Sequence, residues 1–280
     1  KFIQYNIEEK LIIRILLYNP LFWIFGVAYG SNDLMLASLT FLAILFYINN
    51  NQRSTGVLFS IAANLKFTPI FIMPFFLFKE NKLDFKLLKT ITVYTILFLT
   101  IAFYFWDVKL IQGFSFNIKR DSSIFSIFRF ISGDLQPLTF ANITSLDFLS
   151  IYFVFFSWLS CFIFYLRFNI DKYLILLLAY SNVLLFYKSG HHQFYLIFLI
   201  LNIVTYIRHK QSILQNKKLV NAALLFWIWI FIFTILYPLT GQYSGEFYIR
   251  EWVGFPTFIL HFILNVQLLL HIKKQKLFSL

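Results

Sequence analysis

A short polar turn, Gly30-Ser31-Asn32-Asp33, lies between two apolar stretches of the chain. Asn and Asp are common turn formers and helix caps, so a plain turn explains these residues. The alternative is that the amide and the carboxylate belong to a functional site, where a carboxylate can accept a proton. Both interpretations stay open for Asn32 and Asp33 at this point.

A lysine interrupts the apolar segment 55–78, which also contains Pro69 and Pro74. An ammonium among hydrocarbon is costly unless it snorkels, pairs or faces a wet cavity. The two prolines argue against one continuous helix. Two half-helices of about 12 residues, each roughly 18 Å long, would instead form a hairpin with Lys66 near its tip. We therefore predict a broken hairpin over 55–78 and a Lys66 side chain that faces a functional cavity.

Basic and hydroxyl side chains cluster in the polar stretch 107–147. Arg and Lys beside Ser supply the positive charge and the hydrogen-bond donors that a phosphate needs. The alternative is a solvated loop in which Arg120 pairs with Asp121. The residues of this cluster are Asn117, Lys119, Arg120, Ser122, Ser123, Ser126 and Arg129.

A polar connector, Lys188-Ser189-Gly190-His191-His192-Gln193, joins two short apolar runs. Adjacent histidines do not share a helix face and no nearby carboxylate completes a ligand set, so we predict no metal site here. Because the flanking runs are short, the connector is expected to be drawn into the bilayer, where irregular backbone must line protein or water. This favours Lys188, His192 and Gln193 as site residues over a plain linker.

The composition shows what kind of protein must position these groups. Of the 280 residues, 60% are hydrophobic and 13% are charged, against roughly a quarter charged in a soluble domain. We therefore predict an all-α polytopic membrane protein with one transmembrane domain over 1–280. About eight spans are expected in addition to the hairpin, at 11–29, 33–49, 90–106, 148–166, 173–187, 194–207, 219–238 and 255–272.

The charge distribution orients this topology. If the hairpin enters and leaves on one side, 16 of the 24 Lys and Arg fall in loops on the side of residue 1. Basic residues accumulate in cytoplasmic loops, so residue 1 is placed in the cytoplasm and 107–147 becomes an outer loop. The same bias explains the net charge of +12, and nucleic-acid binding is not expected. A lone Cys161 allows no intrachain disulfide.

Several of these stretches resemble the membrane-bound GT-C glycosyltransferases. The closest resemblance is to glycosyltransferase family 87 and related mannosyltransferases that use a polyprenyl-phosphate-mannose donor. It covers roughly 15–270 in order, although each motif is short. The stretches are Asn19-Pro20, Gly30-Ser31-Asn32-Asp33-Leu34, Gly56-Val57-Leu58, Ala62-Ala63-Asn64-Leu65-Lys66-Phe67-Thr68-Pro69, the loop around Arg120, Ser123 and Ser126, and Lys188 with His192-Gln193-Phe194.

The resemblance implies an inverting transfer of a hexose, with mannose first, from a polyprenyl phosphate to a lipid- or glycan-linked hydroxyl. No further cofactor is expected, and metal dependence stays open. Arg120 would stabilise the departing phosphate, with Lys188 or Lys66 second. Asn117 and Ser123 would also bind substrate, and Asn32, Asp33, His192 and Gln193 would hydrogen-bond the sugar or the acceptor.

The sequence departs from the pattern of this family at the catalytic base. These enzymes usually carry a catalytic Asp in the first outer loop, so we expect two further spans and that loop before Lys1. Asp33 is the stand-in within the chain. The expected location is the outer face of a bacterial cytoplasmic membrane or an equivalent lumenal face. A lipid-linked-sugar flippase or transporter and a non-catalytic subunit of a glycan assembly complex remain alternatives, and the oligomeric state is open.

Overall fold

The computed structural model describes most of the chain, and the described part is all-α. It covers residues 18–28, 32–79, 82–107, 109, 125–132, 145–168, 170–188, 192–239 and 248–278. The α-helices of these ranges are α1 Asn32–Ile48, α2 Gln52–Leu65, α3 Met73–Leu77, α4 Phe85–Trp106, α5 Ile127–Ser132, α6 Ser145–Arg167, α7 Lys172–Phe186, α8 Tyr195–Gln215, α9 Lys217–Leu239 and α10 Tyr248–Phe278.

Shorter elements connect these helices. A π-helix, Leu21–Ala28, precedes α1, and 3₁₀-helices lie at Thr68–Phe71 and His192–Phe194. Two short strands, β1 Phe78–Lys79 and β2 Lys82–Leu83, pair antiparallel between α3 and α4.

Four helices of the described part are long and apolar enough to cross a bilayer, which is consistent with an integral membrane protein. They lie at Phe85–Trp106, Leu149–Arg167, Lys217–Leu236 and Val253–Gln275. The expected number of about eight spans is therefore not confirmed. Helices α1 and α7 are apolar but shorter, α8 does not join the four, and the expected span 11–29 lies partly outside the described residues.

Helix α7 forms the centre of the helix bundle. Twelve of its 15 residues are buried, as are the first seven residues of α8. A helix that is apolar on all sides is typical of one surrounded by protein or lipid. At 1.5 Å per residue α7 is roughly 22 Å long, shorter than a hydrocarbon core of about 30 Å. Since its neighbours cover it, α7 needs no full membrane-spanning length.

The chain reverses direction after α2. That helix ends at Leu65, and Lys66 has extended backbone with φ −161°. The returning chain runs along α6, because the Trp158 indole N–H donates to the carbonyl of Phe71 at 2.8 Å and the Tyr165 hydroxyl to that of Phe78 at 3.0 Å. Both prolines of this segment lie in the first turn of a helix, where no backbone N–H is required.

The two ends of this reversing segment lie at the same level. Gln52, the first residue of α2, donates from Nε2 to Oδ2 of Asp84 at 2.6 Å, and Asp84 caps α4. The segment therefore starts and finishes at one end of the bundle with Lys66 at the other end. Whether it enters and leaves a membrane on one side stays a prediction.

Contacts between helix ends divide the bundle into two ends. The end that contains Asp33, Lys66, Tyr187 and Phe194 is called the Asp33 end here. The opposite end, called the Lys172 end, contains the contacts of Lys172 with Tyr47, of Gln52 with Asp84, of Asp171 with His209 and of Asn216 with His271. Basic residues of the short loops concentrate at the Lys172 end, as the charge distribution of the sequence requires.

Candidate functional site

An ion pair joins the first turn of α1 to the residue that ends α2. Lys66 Nζ lies 2.6 Å from Asp33 Oδ1, and the two side chains are 22% and 6% exposed. Asp33 is placed in the first turn of α1, where the positive end of the helix dipole favours a carboxylate. Because α1 and α2 run antiparallel, residues 33 positions apart meet, and the buried ammonium acquires a counter-charge.

The Lys66 ammonium also lies over an aromatic ring of the polar connector. Nζ is 4.1 Å from the ring centroid of Phe194, a side chain that is 3% exposed. Tyr187 contacts both Phe194 and Phe67, with ring centroids 5.3 and 5.8 Å apart. The aromatic contacts hold Tyr187 and Phe194 against the break in the chain at Lys66, so the two ends of the polar connector lie beside this break.

A second cation, Lys188, is buried at the same end and is 4% exposed. Its backbone N–H donates to Ser150 Oγ at 2.9 Å, and the Ser150 hydroxyl donates to the carbonyl of Phe186 at 2.6 Å. Ser150 thus binds the orphan backbone groups that a helix leaves at its end. The first turns of α6 therefore fix where α7 stops and where Lys188 begins the connector.

Two buried hydroxyls lie below the ion pair without hydrogen-bond partners in the described structure. Thr68 is 3% exposed and Tyr180 is fully buried, and neither hydroxyl meets hydrogen-bond geometry. The two residues are close neighbours, and the Asp33 carboxylate lies within electrostatic reach of Tyr180. Buried polar groups without partners are uncommon and are often found at functional sites. Sequence reasoning missed both residues, and a tyrosine in an otherwise apolar helix was the available signal.

Phe125 and Ser126, in the middle of the polar stretch 107–147, lie at the Asp33 end. Phe125 is 3% exposed and packs edge-to-face on Tyr195, with ring centroids 5.5 Å apart. Ser126 is buried and its hydroxyl accepts from the N–H of Phe128 at 3.2 Å. Phe125 therefore contacts the beginning of α8, directly after the polar connector.

The structure brings together only part of the predicted site. Asp33, Lys66, Lys188 and Gln193 belong to the Asp33 end, and Asn32 is exposed as the first residue of α1. His192 begins the 3₁₀-helix before α8, but its side chain lies outside the described residues. The remaining predicted positions, Asn117, Lys119, Arg120, Ser122 and Ser123, lie outside the described residues altogether, as does the side chain of Arg129.

A polar network deep between α7 and α10 was not predicted. The Ser181 hydroxyl contacts His261 Nε2 at 2.6 Å and donates to Asn265 Oδ1. Asn265 donates to Asn182 Oδ1 at 2.9 Å, and Asn182 donates to the Cys161 sulfur at 3.3 Å. Asn182 and Asn265 also line an apolar cavity of about 400 Å³ between α6, α7 and α10. The contacts between α7 and α10 join residues 80 or more positions apart, so spacing along the chain gave no signal for them.

The described Asp33 end combines a buried carboxylate, the part-buried Lys66, the buried Lys188 and two buried hydroxyls. Asp33 compensates the charge of Lys66, and Lys188 adds a second positive charge at the same end. Cations that are fixed before a substrate arrives can stabilise an anion that develops during a reaction. The arrangement is suited to binding a phosphate or a polyhydroxylated group where helices end.

Comparison of the chain with protein-family models, with curated proteins and with solved structures found no match. The class of the protein therefore follows from the structure itself. It is an all-α protein whose described part has four helices able to cross a membrane and a part-buried ion pair between the first turn of α1 and the residue that ends α2.

Proposed function

We propose that this chain is a GT-C-type membrane glycosyltransferase that transfers a hexose, with mannose first, from a polyprenyl phosphate to a lipid- or glycan-linked hydroxyl. The observation that carries the proposal is the part-buried Asp33–Lys66 pair beside Phe194, at the end of the polar connector. A broken apolar segment and a second irregular connector meet there, and each carries a buried cation. The resemblance of these same segments to glycosyltransferase family 87 supports the assignment.

The proposed chemistry is a direct displacement at the anomeric carbon. The acceptor oxygen forms the new glycosidic bond, the bond to the phosphate oxygen breaks, and the polyprenyl phosphate leaves with the electron pair. Inversion of the anomeric centre follows from a single displacement. The acceptor proton passes to a carboxylate, and the negative charge that develops on the leaving phosphate requires cations.

Lys66 and Lys188 are assigned to the leaving phosphate, together with the predicted Arg120. Asp33 is assigned first to positioning the Lys66 ammonium, because it lies at 2.6 Å from Nζ and only 6% of its side chain is exposed. To act as the base it would have to exchange Lys66 for the acceptor hydroxyl. The base role predicted for Asp33 therefore stays a separate prediction.

The test is transfer of radiolabelled hexose from its polyprenyl phosphate, in membranes that carry the full-length gene product. Lys66→Ala is expected to lower transfer at least about 100-fold, as expected for loss of a transition-state donor, and Lys66→Arg is expected to retain part of it. Lys218→Ala is the matched control, because Lys218 is exposed at the Lys172 end. Full transfer by Lys66→Ala would show that Lys66 has no role in the mechanism. Absence of transfer by the wild type would contradict the proposed glycosyltransferase activity.

A lipid-linked-sugar transporter is the second candidate, and the network of Ser181, His261, Asn265 and Asn182 favours it. Polar residues deep within membrane helices commonly mark a transport path. The enzyme proposal places substrate at the Asp33 end instead. Movement of a fluorescent lipid-linked sugar between the leaflets of proteoliposomes, without transfer to acceptor, would support the transporter. Neither activity in a preparation with intact helical structure would favour a non-catalytic subunit.

The proposed location is an outer or lumenal membrane face for the Asp33 end, with the Lys172 end in the cytoplasm. The supporting observation is the concentration of basic loop residues at the Lys172 end. Short cytoplasmic loops carry an excess of Lys and Arg. A bacterial cytoplasmic membrane is the first candidate for that membrane.

A further inference from the structure

A half-buried ammonium lies among aromatic side chains at the end opposite the proposed active site. Lys172 Nζ donates to the Tyr47 hydroxyl at 2.6 Å. The same Nζ lies 4.4 Å from the ring centroid of Tyr47 and 5.5 Å from that of Phe76. The cation is therefore held by π-faces and one phenol, and a carboxylate does not contact it among the described residues.

The nearby carboxylates of the described part are engaged elsewhere. Asp84 accepts from Gln52 Nε2 at 2.6 Å and from the N–H of Leu87 at 3.0 Å. Asp171 caps α7 through the N–H groups of residues 173 and 174, and its Oδ1 lies 2.9 Å from His209 Nε2. Both carboxylates moderate the local charge, but neither forms an ion pair with Lys172.

Hydrogen-bond donors are left over at this cluster. An ammonium has three N–H groups and a phenol has one O–H. Lys172 uses one N–H on the Tyr47 oxygen, which leaves two N–H groups and the Tyr47 O–H proton. The structure gives no acceptor for these three donors within the residues that it describes. An anion with several oxygen atoms would complement them.

Two further cations surround this cluster. Arg208 is exposed and lies 4.3 Å from the ring centroid of Tyr173, the neighbour of Lys172. Lys79, on β1, is also exposed, and both Lys79 and Arg208 lie within electrostatic reach of the Lys172 ammonium. Three cations therefore act on one position, where α1 ends, α7 begins and tyrosines are grouped. Tyrosines and basic residues at helix ends are typical of the membrane interface.

We propose that Lys172, Tyr47, Lys79 and Arg208 bind the head-group phosphate of an anionic phospholipid. A phospholipid is the occupant that matches the position, since its phosphate lies at helix ends while its acyl chains lie against the exposed apolar faces of the bundle. Anionic head groups are recognised in proteins by basic pockets between membrane helices. The half-buried Tyr47–Lys172 pair distinguishes this site from the exposed lysines of the same end. The site is independent of the proposed transferase activity.

The test is a titration of the purified full chain with phosphatidylglycerol and with phosphatidylcholine of the same acyl chains, read by native mass spectrometry. The wild type is expected to bind phosphatidylglycerol more tightly than phosphatidylcholine. Removal of each basic residue of the proposed site is expected to weaken phosphatidylglycerol binding about five-fold. Lys172→Gln removes the central cation, and the double variant Lys79→Gln/Arg208→Gln removes the outer two. Lys218→Gln is the matched control for an exposed lysine at the same end.

Tyr47→Phe keeps the ring and removes only the hydroxyl, so it tests the proposed head-group site even if Lys172→Gln fails to fold. It is expected to weaken phosphatidylglycerol binding several-fold without changing phosphatidylcholine binding. Equal affinity of the wild type for both lipids overturns the proposal, as does an unchanged affinity in Tyr47→Phe and the double variant. Displacement of phosphatidylglycerol by millimolar inorganic phosphate would overturn the lipid as occupant and assign the site to a free phosphate.

Discussion

Asp33→Asn is expected to destabilise the protein because it leaves the Lys66 ammonium beside Phe194 without its carboxylate. At 2.6 Å and an effective dielectric constant of about 20, two unit charges attract by roughly 6 kcal/mol, and desolvation of both groups offsets much of this. Removal of one partner of a fully buried pair costs about 3–5 kcal/mol. Because the Lys66 side chain is 22% exposed, we expect a smaller loss of about 2–3 kcal/mol.

The measurement is a double-mutant cycle on the free energy of unfolding, obtained by SDS titration in mixed micelles and followed by circular dichroism. The cycle consists of Asp33→Asn, Lys66→Met and the double variant. Once both charges are absent, no uncompensated ion remains. The double variant should therefore lose at least about 1 kcal/mol less free energy of unfolding than the two single variants lose in sum. Lys218→Met, an exposed lysine, should change stability by less than about 0.5 kcal/mol. Strict additivity of the two single variants would refute the ion pair.

Three further predictions concern packing, pH and topology. Gly56→Ala places a Cβ 2.6 Å from Thr90 Cγ2, so the free energy of unfolding should fall by about 1–3 kcal/mol; unchanged stability would show that α2 and α4 are not packed this closely. Burial raises the pKa of Asp171, but contact with His209 and the N–H groups at the start of α7 outweigh burial, so its pKa lies below the usual value. Its stabilisation is therefore present above about pH 4 and is lost as the pH falls through the lowered pKa; acid titration of unfolding should show a smaller loss in Asp171→Asn, and identical acid profiles would contradict this. In a cysteine-free background, Arg53→Cys should react with an impermeant maleimide only from the cytoplasmic side and Asp107→Cys only from the other side, and the reverse pattern would invert the topology.

The break at Lys66 shows which features of the fold the local sequence could predict. A 24-residue apolar segment that contains a lysine and two prolines is disfavoured as one continuous membrane helix, and helix α2 does end at Leu65. The partner of that lysine was not predictable, because an ion pair between positions 33 and 66 depends on how α1 packs against α2.

The number of spans shows a second limit. Hydropathy measures whether a segment avoids water, and it does not distinguish lipid from protein as the surrounding medium. Helix α7, predicted as one crossing among eight, is a shorter apolar helix with 12 of its 15 residues buried by its neighbours, and the crossing is not confirmed. The four helices that meet the length of a bilayer include the more exposed ones, such as α4.

By itself the sequence determined that this is an all-α membrane protein, because too few polar residues exist to cover a soluble fold. It also indicated that many charged residues cluster in a few irregular segments, because a charge within an apolar helix is costly. The tertiary structure alone decided which of these segments meet. It paired Lys66 with Asp33, enclosed Ser181 with His261 and left Lys172 among tyrosines, because these contacts join residues from 33 to 125 positions apart. Contacts over such separations are set by helix packing, and no local pattern in the chain encodes them.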